Sequence, residues 1–363
     1  MIKHFLDCWD FSTDELLDMV DLIIQLKKGA KKGNFPKVLS GQSVAMIFNG
    51  NSTRTRISFE VATHQLGGHA LYLTGGSEGE MHLGKRETVA DTARVVSSMV
   101  EGVVMRWRNT GEMEDFAANL SVPFFNAMDH TRHPTQTLCD LVTVIENLPE
   151  GKELKDITLA YIGQSGVRET SANDIAKLLP RFGAKVIIGS PVGYELGGER
   201  DNNPRWMIDQ NLMRREIACK EGGGAVIVTN DPQEAVHGAD FVYTGCVCYE
   251  GCEAKEDFEN FKKTFIDKGF QVNEKLLSIC PTAKTMHYLP ALRGQEISDF
   301  GMDFNGSLLW KQAENRLHTQ RGLLAYLMWA NSFNIIRASN EPDGEILAKI
   351  ASMDKKYGGR KTH

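Results

Sequence analysis

The chain has 363 residues, 42% of them hydrophobic and 24% charged, with only 11 prolines, which suits two globular domains with sizeable cores and excludes a single small module or a disordered chain. Its 41 Lys and Arg against 47 Asp and Glu give a formal net charge of −6. Nothing in that balance attracts nucleic acid or an anionic membrane surface, so any basic site is local.

The seven cysteines, Cys8, Cys139, Cys219, Cys246, Cys248, Cys252 and Cys280, are odd in number and irregularly spaced. In a chain too large to need stapling they read as free thiols in a reducing compartment. The opening MIKHFLDCWDF lacks the basic n-region and apolar h-region of a signal peptide, which predicts a cytoplasmic protein. The longest uncharged, mostly apolar run, Gly322 to Ile336, contains Asn331 and Asn334 and falls short of the ~20 residues of a membrane helix. It reads as a buried helix.

In chain order, Leu16, Leu17, Val20, Ile23, Ile24 and Leu26 recur at helical spacing behind Ser12 and Thr13, predicting an amphipathic helix over 13–28. Ser43–Asn49 is a short apolar run between glycines and reads as a buried strand, and the NSTRTRISFEVATHQLGG that follows reads as a helix. Further strands are predicted near 70–73, 102–106 and 123–126, with helices over 88–99 and 112–119. The polar, Gly-bearing LPEGKELKD marks a junction between two lobes. Beyond it, strands are predicted at 158–162, 185–189, 224–229, 241–244 and 284–287, with helices such as 171–182 and 232–237. The fold class is therefore α/β: two similar domains, each a parallel sheet flanked by helices, with the active site expected in the cleft between them, at the carboxyl ends of the strands.

Ser52-Thr53-Arg54-Thr55-Arg56 follows a strand and opens a helix, so backbone N–H groups, hydroxyls and a guanidinium can converge on one small anion, phosphate above all. Taken alone, the same residues also read as an ordinary Ser/Thr N-cap with solvated arginines. His133-Pro134-Thr135-Gln136 follows another strand, where an imidazole and a carboxamide can donate to a carbonyl oxygen, and Arg106 ends a third strand as a further cationic donor. The set reads as an electrophile clamp and not a metal site. Met286-His287-Tyr288-Leu289-Pro290-Ala291 and Glu314-Asn315-Arg316 complete the set. Pro290 is expected to hold Leu289 extended, with its carbonyl free.

STRTR, HPTQ, H-x-LPA and AENR in this order resemble the aspartate/ornithine carbamoyltransferase superfamily over nearly the whole chain, and look closest to its ornithine and putrescine branches. The intervening Glu87-Thr88, Asp91-Thr92-Ala93-Arg94-Val95 and Gly238-Ala239-Asp240-Phe241-Val242-Tyr243-Thr244 support this. The resemblance implies a carbamoyl-phosphate domain over 1–148, an amine-binding domain over 149–320, and a C-terminal helix with a tail, 321–363, that returns to the first domain. It implies that Ser52, Thr53, Arg54 and Thr55 hold the phosphate, that Arg106 bridges phosphate and carbonyl, and that His133 and Gln136 bind the carbamoyl group. Leu289 would offer its carbonyl to the carbamoyl NH2, and Arg316 would line the same site. Arg54, Arg106 and His133 would stabilise charge as a neutral amine attacks and phosphate departs, chemistry that requires neither metal nor redox cofactor. The implied assembly is a homotrimer that places Lys85 and Arg86 in a neighbour's site, and the partners are carbamoyl phosphate and an amine.

The chain departs from the ornithine pattern where the acceptor is read. The family's D-x-W-x-S-M-G has become Gly245-Cys246-Val247-Cys248-Tyr249-Glu250-Gly251, so the usual α-ammonium partner is Gly245. The family's H-C-L-P cysteine is Tyr288, and the Asn-bearing segment is Gly163-Gln164-Ser165-Gly166-Val167-Arg168-Glu169-Thr170. Arg168 could pair with an acceptor carboxylate and Glu250 with a distal ammonium, while Tyr249 and the long tail 340–363 lean towards the putrescine branch. Ornithine or a related diamine is the default acceptor, with another amine or amino acid as the alternative. Cys246, Cys248 and Cys252 form C-x-C-x3-C without an obvious fourth zinc ligand. A non-catalytic carbamoyl-phosphate binder is disfavoured by the full donor set, and a nicotinamide dehydrogenase by the lack of G-x-G-x-x-G after the first strand of either lobe.

Overall fold

Short runs rich in Val, Ile, Met and Phe supply the strands, and most are buried on both faces, as a parallel sheet covered by helices requires. The computed structural model describes residues 3–75, 81, 83–166, 169–201, 203–246, 255–336 and 344–357. It divides into two units, one of Met1–Val142 with Glu314–His363 and the other of Thr143–Ala313.

The first unit alternates α1 (Thr13–Ala30), β1 (Ser43–Phe48), α2 (Thr53–Gln65), β2 (His69–Thr74), α3 (Val89–Ser97), β3 (Gly102–Arg106), α4 (Thr110–Ala118), β4 (Phe124–Met128) and α5 (Pro134–Glu146). Its sheet is all parallel in the order β2-β1-β3-β4. Strand order reverses beside β1, so the carboxyl ends of β1 and β3, where Phe48 pairs with Arg106, form the switch point at which such sheets bind ligands. The outer edge of β4 is covered by the N-terminal segment, with Phe5 N donating to Phe124 O at 2.7 Å and Asn126 N to Phe5 O at 2.9 Å. Ala45, Ile47, Val103, Met105, Phe116 and Phe124 are among the residues of one core cluster.

The second unit holds β5 (Thr158–Ile162), α6 (Thr170–Leu178), β6 (Lys185–Gly189), α7 (Arg205–Gly222), β7 (Ala225–Thr229), α8 (Pro232–Val236), β8 (Phe241–Thr244), α9 (Lys255–Phe261), α10 (Glu274–Leu277), β9 (Lys284–His287) and α11 (Asp299–Asp303). Its parallel sheet runs β7-β6-β5-β8-β9, with the reversal between β5 and β8. The long α12 (Leu309–Ile336) and then α13 (Gly344–Lys356) follow. From Glu314 onward the chain belongs to the first unit, anchored there by Lys27 Nζ to Asn315 Oδ1 at 2.7 Å and Tyr326 Oη to Glu15 Oε1 at 2.6 Å. The side chains of residues 323–329 are buried in α12.

The predicted elements sit within a few residues of the observed ones, and the differences have local causes. The helix expected over 171–182 ends as an α-helix at Leu178 and continues as a 3-10 turn over Leu179–Phe182, because Pro180 has no N–H to give the α pattern. The strand expected to end at Asn126 runs to Met128, whose N–H donates to Asn126 Oδ1 at 2.9 Å.

Candidate active site

In the first unit Ser52 to Thr55 follow β1, Arg106 ends β3, His133 and Gln136 follow β4, and Arg316 comes from α12. Ser52 occupies the N-cap position of α2, yet its side chain makes no capping hydrogen bond. The cap reading of this serine therefore fails locally, and a helix N-terminus of this kind favours an anion. Arg54 is half-buried, and burial lowers its pKa from the usual guanidinium value. Thr55 is buried, whereas Arg56 is exposed, pairs with Glu60 at 3.3 Å and lies 3.7 Å from the centre of the Tyr72 ring. Arg106 closes β3 beside a register shift against β4.

The turn from β4 to α5 is fixed by a buried carboxylate that sequence reasoning missed. Asp129 accepts from Thr131 N at 2.6 Å and Arg132 N at 2.8 Å through Oδ1, and from Arg132 Nε at 3.0 Å through Oδ2. Met128, at the end of β4, takes a φ of 146°, a strained value for an L residue and the kind of cost that clusters at functional sites. The turn delivers His133, whose carbonyl accepts from Gln136 N at 2.9 Å and Thr137 N at 3.0 Å, with Pro134 opening the helix.

Arg316 then ties two turns together. Its Nη1 donates to Gln136 Oε1 at 2.6 Å and its Nη2 to Thr55 Oγ1 at 3.1 Å, all buried. The amide of Gln136 donates onward to Asp140 Oδ1 at 2.7 Å. Burial, and after it the charges of Arg316 and Arg106, hold the His133 imidazole well below its ordinary pKa, so it is neutral at physiological pH. Thr55, Gln136, His133, Arg106 and Arg316 thus share one electrostatic neighbourhood, a combination suited to a small dianionic ester. Lys85 and Arg86 lie exposed in the segment before α3.

In the second unit, His287 is fully buried with Nε2 at 3.0 Å from Glu296 Oε1, and its Nδ1 accepts from Leu289 N at 2.8 Å. That contact turns the chain immediately after β9. Leu289 accordingly adopts φ 57° before a cis peptide to Pro290, which corrects the expectation of an extended Leu289. Tyr288 is half-buried and donates from its hydroxyl to Glu169 Oε2 at 3.0 Å. Glu169 caps α6, accepting from Ser171 N at 2.9 Å and Ala172 N at 3.4 Å through Oε1. Burial raises its pKa to about 7 against the hydrogen bonds from Tyr288, Ser171, Ala172 and Tyr161. Sequence reasoning quoted Glu169 but gave the role to its neighbour. Arg168, Tyr249 and Glu250 lie outside the described residues, as do Cys248 and Cys252. Among the described residues no group of three or more His, Cys, Asp or Glu could hold a metal ion, and no helix is long and apolar enough to cross a membrane.

Two parallel α/β units in one chain, the first with cationic and polar side chains gathered at its strand ends, define the class: a two-domain α/β protein with a candidate anion site. Residues 3–146 match the family model for the aspartate/ornithine carbamoyltransferase carbamoyl-P binding domain, and residues 155–327 match that for the Asp/Orn binding domain. The chain belongs to the aspartate/ornithine carbamoyltransferase family and is a carbamoyltransferase. It is 38% identical to an ornithine carbamoyltransferase of Aquifex aeolicus, over 90% of this chain and 98% of that protein. It is 37% identical to one of Archaeoglobus fulgidus, over 91% and 99%. The solved ornithine carbamoyltransferase of Pyrococcus furiosus aligns with a TM-score of 0.79 at 34% identity, covering 89% of this chain and 96% of the other.

Proposed function

We propose that this enzyme transfers the carbamoyl group of carbamoyl phosphate to the primary amine of an ornithine-like acceptor, giving a citrulline-type ureido product and phosphate. The observation that carries the site assignment is Arg316, which joins Thr55 in the first turn of α2 to Gln136 in the first turn of α5. In this reading the first unit binds carbamoyl phosphate. Ser52, Thr53, Arg54 and Thr55 take the phosphate through the α2 N-terminus, with Arg106 between phosphate and carbonyl. The neutral His133 donates to the carbonyl oxygen, Gln136 and Arg316 hold the carbamoyl end, and the carbonyl of Leu289 accepts from its NH2. As the amine nitrogen bonds to the carbonyl carbon, negative charge grows on the carbonyl oxygen and then on the departing phosphate. Fixed donors in place before the reaction stabilise both.

The second unit binds the acceptor. Gly245 and Tyr288, which stand where the ornithine pattern has Asp and Cys, favour a second reading in which the acceptor is another diamine or amino acid. The reading also includes a cytoplasmic homotrimer, with Lys85 and Arg86 reaching a neighbour's site. Met99, 73% exposed in the first unit, is an apolar side chain that such a contact would cover.

The test is ureido-product formation by the purified protein from carbamoyl phosphate with ornithine, putrescine, lysine, shorter diamino acids and aspartate. Product with ornithine supports the main reading, and product with another amine alone supports the second. Carbamoyl phosphate binding without product from any of them would overturn the ornithine reading and favour an acceptor outside the panel or a non-catalytic carbamoyl-phosphate binder.

A further inference from the structure

In the second unit, strand order reverses between β5 and β8, so the carboxyl ends of β5, β8 and β9 are where a doubly wound sheet offers a ligand its crevice. Four residues gather there. Tyr161 lies in β5, Gly245 follows β8, Tyr288 follows β9 and Glu169 begins the turn into α6. A Cβ on Gly245 would stand 2.4 Å from Tyr288 Cε1 and 2.7 Å from the hydroxyl oxygens of both Tyr288 and Tyr161. The absent side chain at 245 is therefore what admits the Tyr288 ring. Glu169 is 2% exposed and Tyr161 1%, whereas Tyr288 is half-buried and donates to Glu169 Oε2 at 3.0 Å. The phenol links the strand-end surface to a buried carboxylate.

We propose that Tyr288 and Glu169 form a proton relay for the acceptor amine, the phenol oxygen taking a proton from the substrate ammonium as the phenol passes its own to Glu169. The inference rests on the carbamoyl-transfer reading above. An alkyl ammonium has a pKa near ~10.4 and cannot attack until one proton leaves. In the relay an N–H bond of R–NH3+ breaks and its proton goes to Tyr288 Oη. The Tyr288 O–H bond breaks, its proton goes to Glu169 Oε2, and the electron pair stays on nitrogen. That pair forms the C–N bond to the carbamoyl carbon. The C–O bond to phosphate breaks with its electrons on the phosphate, which takes the second amine proton. Glu169 then returns its proton to solvent through Tyr288.

The surroundings suit this role. The N–H groups of Ser171 and Ala172 hold Oε1, which leaves Oε2 to accept from the Tyr288 phenol. A carboxyl that titrates at about 7 can accept and release a proton near neutrality. Of the other charged groups nearby, Arg215 on α7 is spent on Asn173 Oδ1 at 2.5 Å, and Asp174 pairs with Lys177 at 2.8 Å on α6. His287, beside Tyr288, is paired with Glu296.

The experiment uses the full chain with carbamoyl phosphate and whichever acceptor of the panel yields ureido product. The parent, Tyr288→Phe, Glu169→Gln and the double variant are compared in kcat and KM from pH 5.5 to 9.5. Phe keeps the ring over Gly245, and Gln keeps an acceptor for the α6 N–H groups. Each single change is expected to lower kcat about 100-fold or more, to leave KM for carbamoyl phosphate unchanged, and to abolish an acid limb near pH 7. The double variant is expected to be no worse than the singles, as for groups that act as one unit. Retention of both rate and acid limb in the two singles overturns the relay while leaving the carbamoyl-transfer reading intact. So does a Tyr288→Phe enzyme that is slow but keeps the limb. A parent that forms no ureido product overturns that reading and the relay with it.

Discussion

Gly245→Ala tests the packing that gives the second unit its distinctive strand ends. The new methyl carbon would sit 2.4 Å from Tyr288 Cε1, about 1 Å short of an ordinary carbon contact. The backbone of Gly245 is not in the left-handed region, so the cost is one of space and not of conformation. Overpacking of this kind costs about 1–3 kcal/mol, offset by about 0.4–1 kcal/mol from the reduced freedom of the unfolded chain, so a net loss of about 1–2 kcal/mol is expected. Two of the three close atoms belong to Tyr288 and the third is the Tyr161 hydroxyl. In a Tyr288→Ala background, the same substitution should therefore cost only about half as much, a coupling of about 0.5–1 kcal/mol. Hydrogen exchange across a urea series, read on peptides covering β8 and β9, reports the second unit alone for all four chains of the cycle. Costs that add within about 0.3 kcal/mol would refute the argument that Tyr288 occupies the space a side chain at 245 would need.

Arg106→Ala should lower the rate of ureido formation about 100–1000-fold, the usual loss for one preorganised donor, with an unchanged circular dichroism spectrum; a loss under 5-fold would remove Arg106 from the site. Gln136→Ala leaves the buried Arg316 Nη1 and Asp140 Oδ1 each short of the partner it had, and should cost about 1–3 kcal/mol for each group left unsatisfied, measured by urea unfolding of the first unit. Burial, ahead of the charges of Arg321 and Lys27, lowers the His318 pKa from 6.5 to about 4 despite its hydrogen bond to Glu314. The unfolded chain therefore binds a proton that the native one does not, and stability falls as pH drops from 6.5 towards 4; His318→Gln should flatten that slope by up to about 1.4 kcal/mol per pH unit, and an unaltered slope would sink the assignment. The exposed Met99 should help hold the assembly together, so light scattering is expected to give three times the chain mass, with Met99→Lys shifting it downward. A parent that stays monomeric at micromolar concentration would count against the trimer.

Much of this protein is legible without coordinates. Parallel strands buried on both faces must be short apolar runs, so Ser43–Phe48, Gly102–Arg106, Thr158–Ile162 and Phe241–Thr244 show themselves in any reading of hydropathy. STRTR and HPTQ are legible because each follows a strand and opens a helix, so that strand end, cap and candidate donor lie close together in the chain. What the sequence determined is thus local: propensity, cap and donor chemistry at single turns. Only the tertiary structure brings Arg316 onto Thr55 and Gln136, 261 and 180 residues away in the chain. The same holds for the Tyr288 phenol on Glu169, 119 residues distant, in the space that Gly245 leaves open. It also turned Leu289 to positive φ, through an imidazole that Glu296 holds in place. Such contacts form only when the two sheets have set their strand order and register, and side-chain packing at fixed strand ends is a property of that arrangement, not of any short stretch of residues.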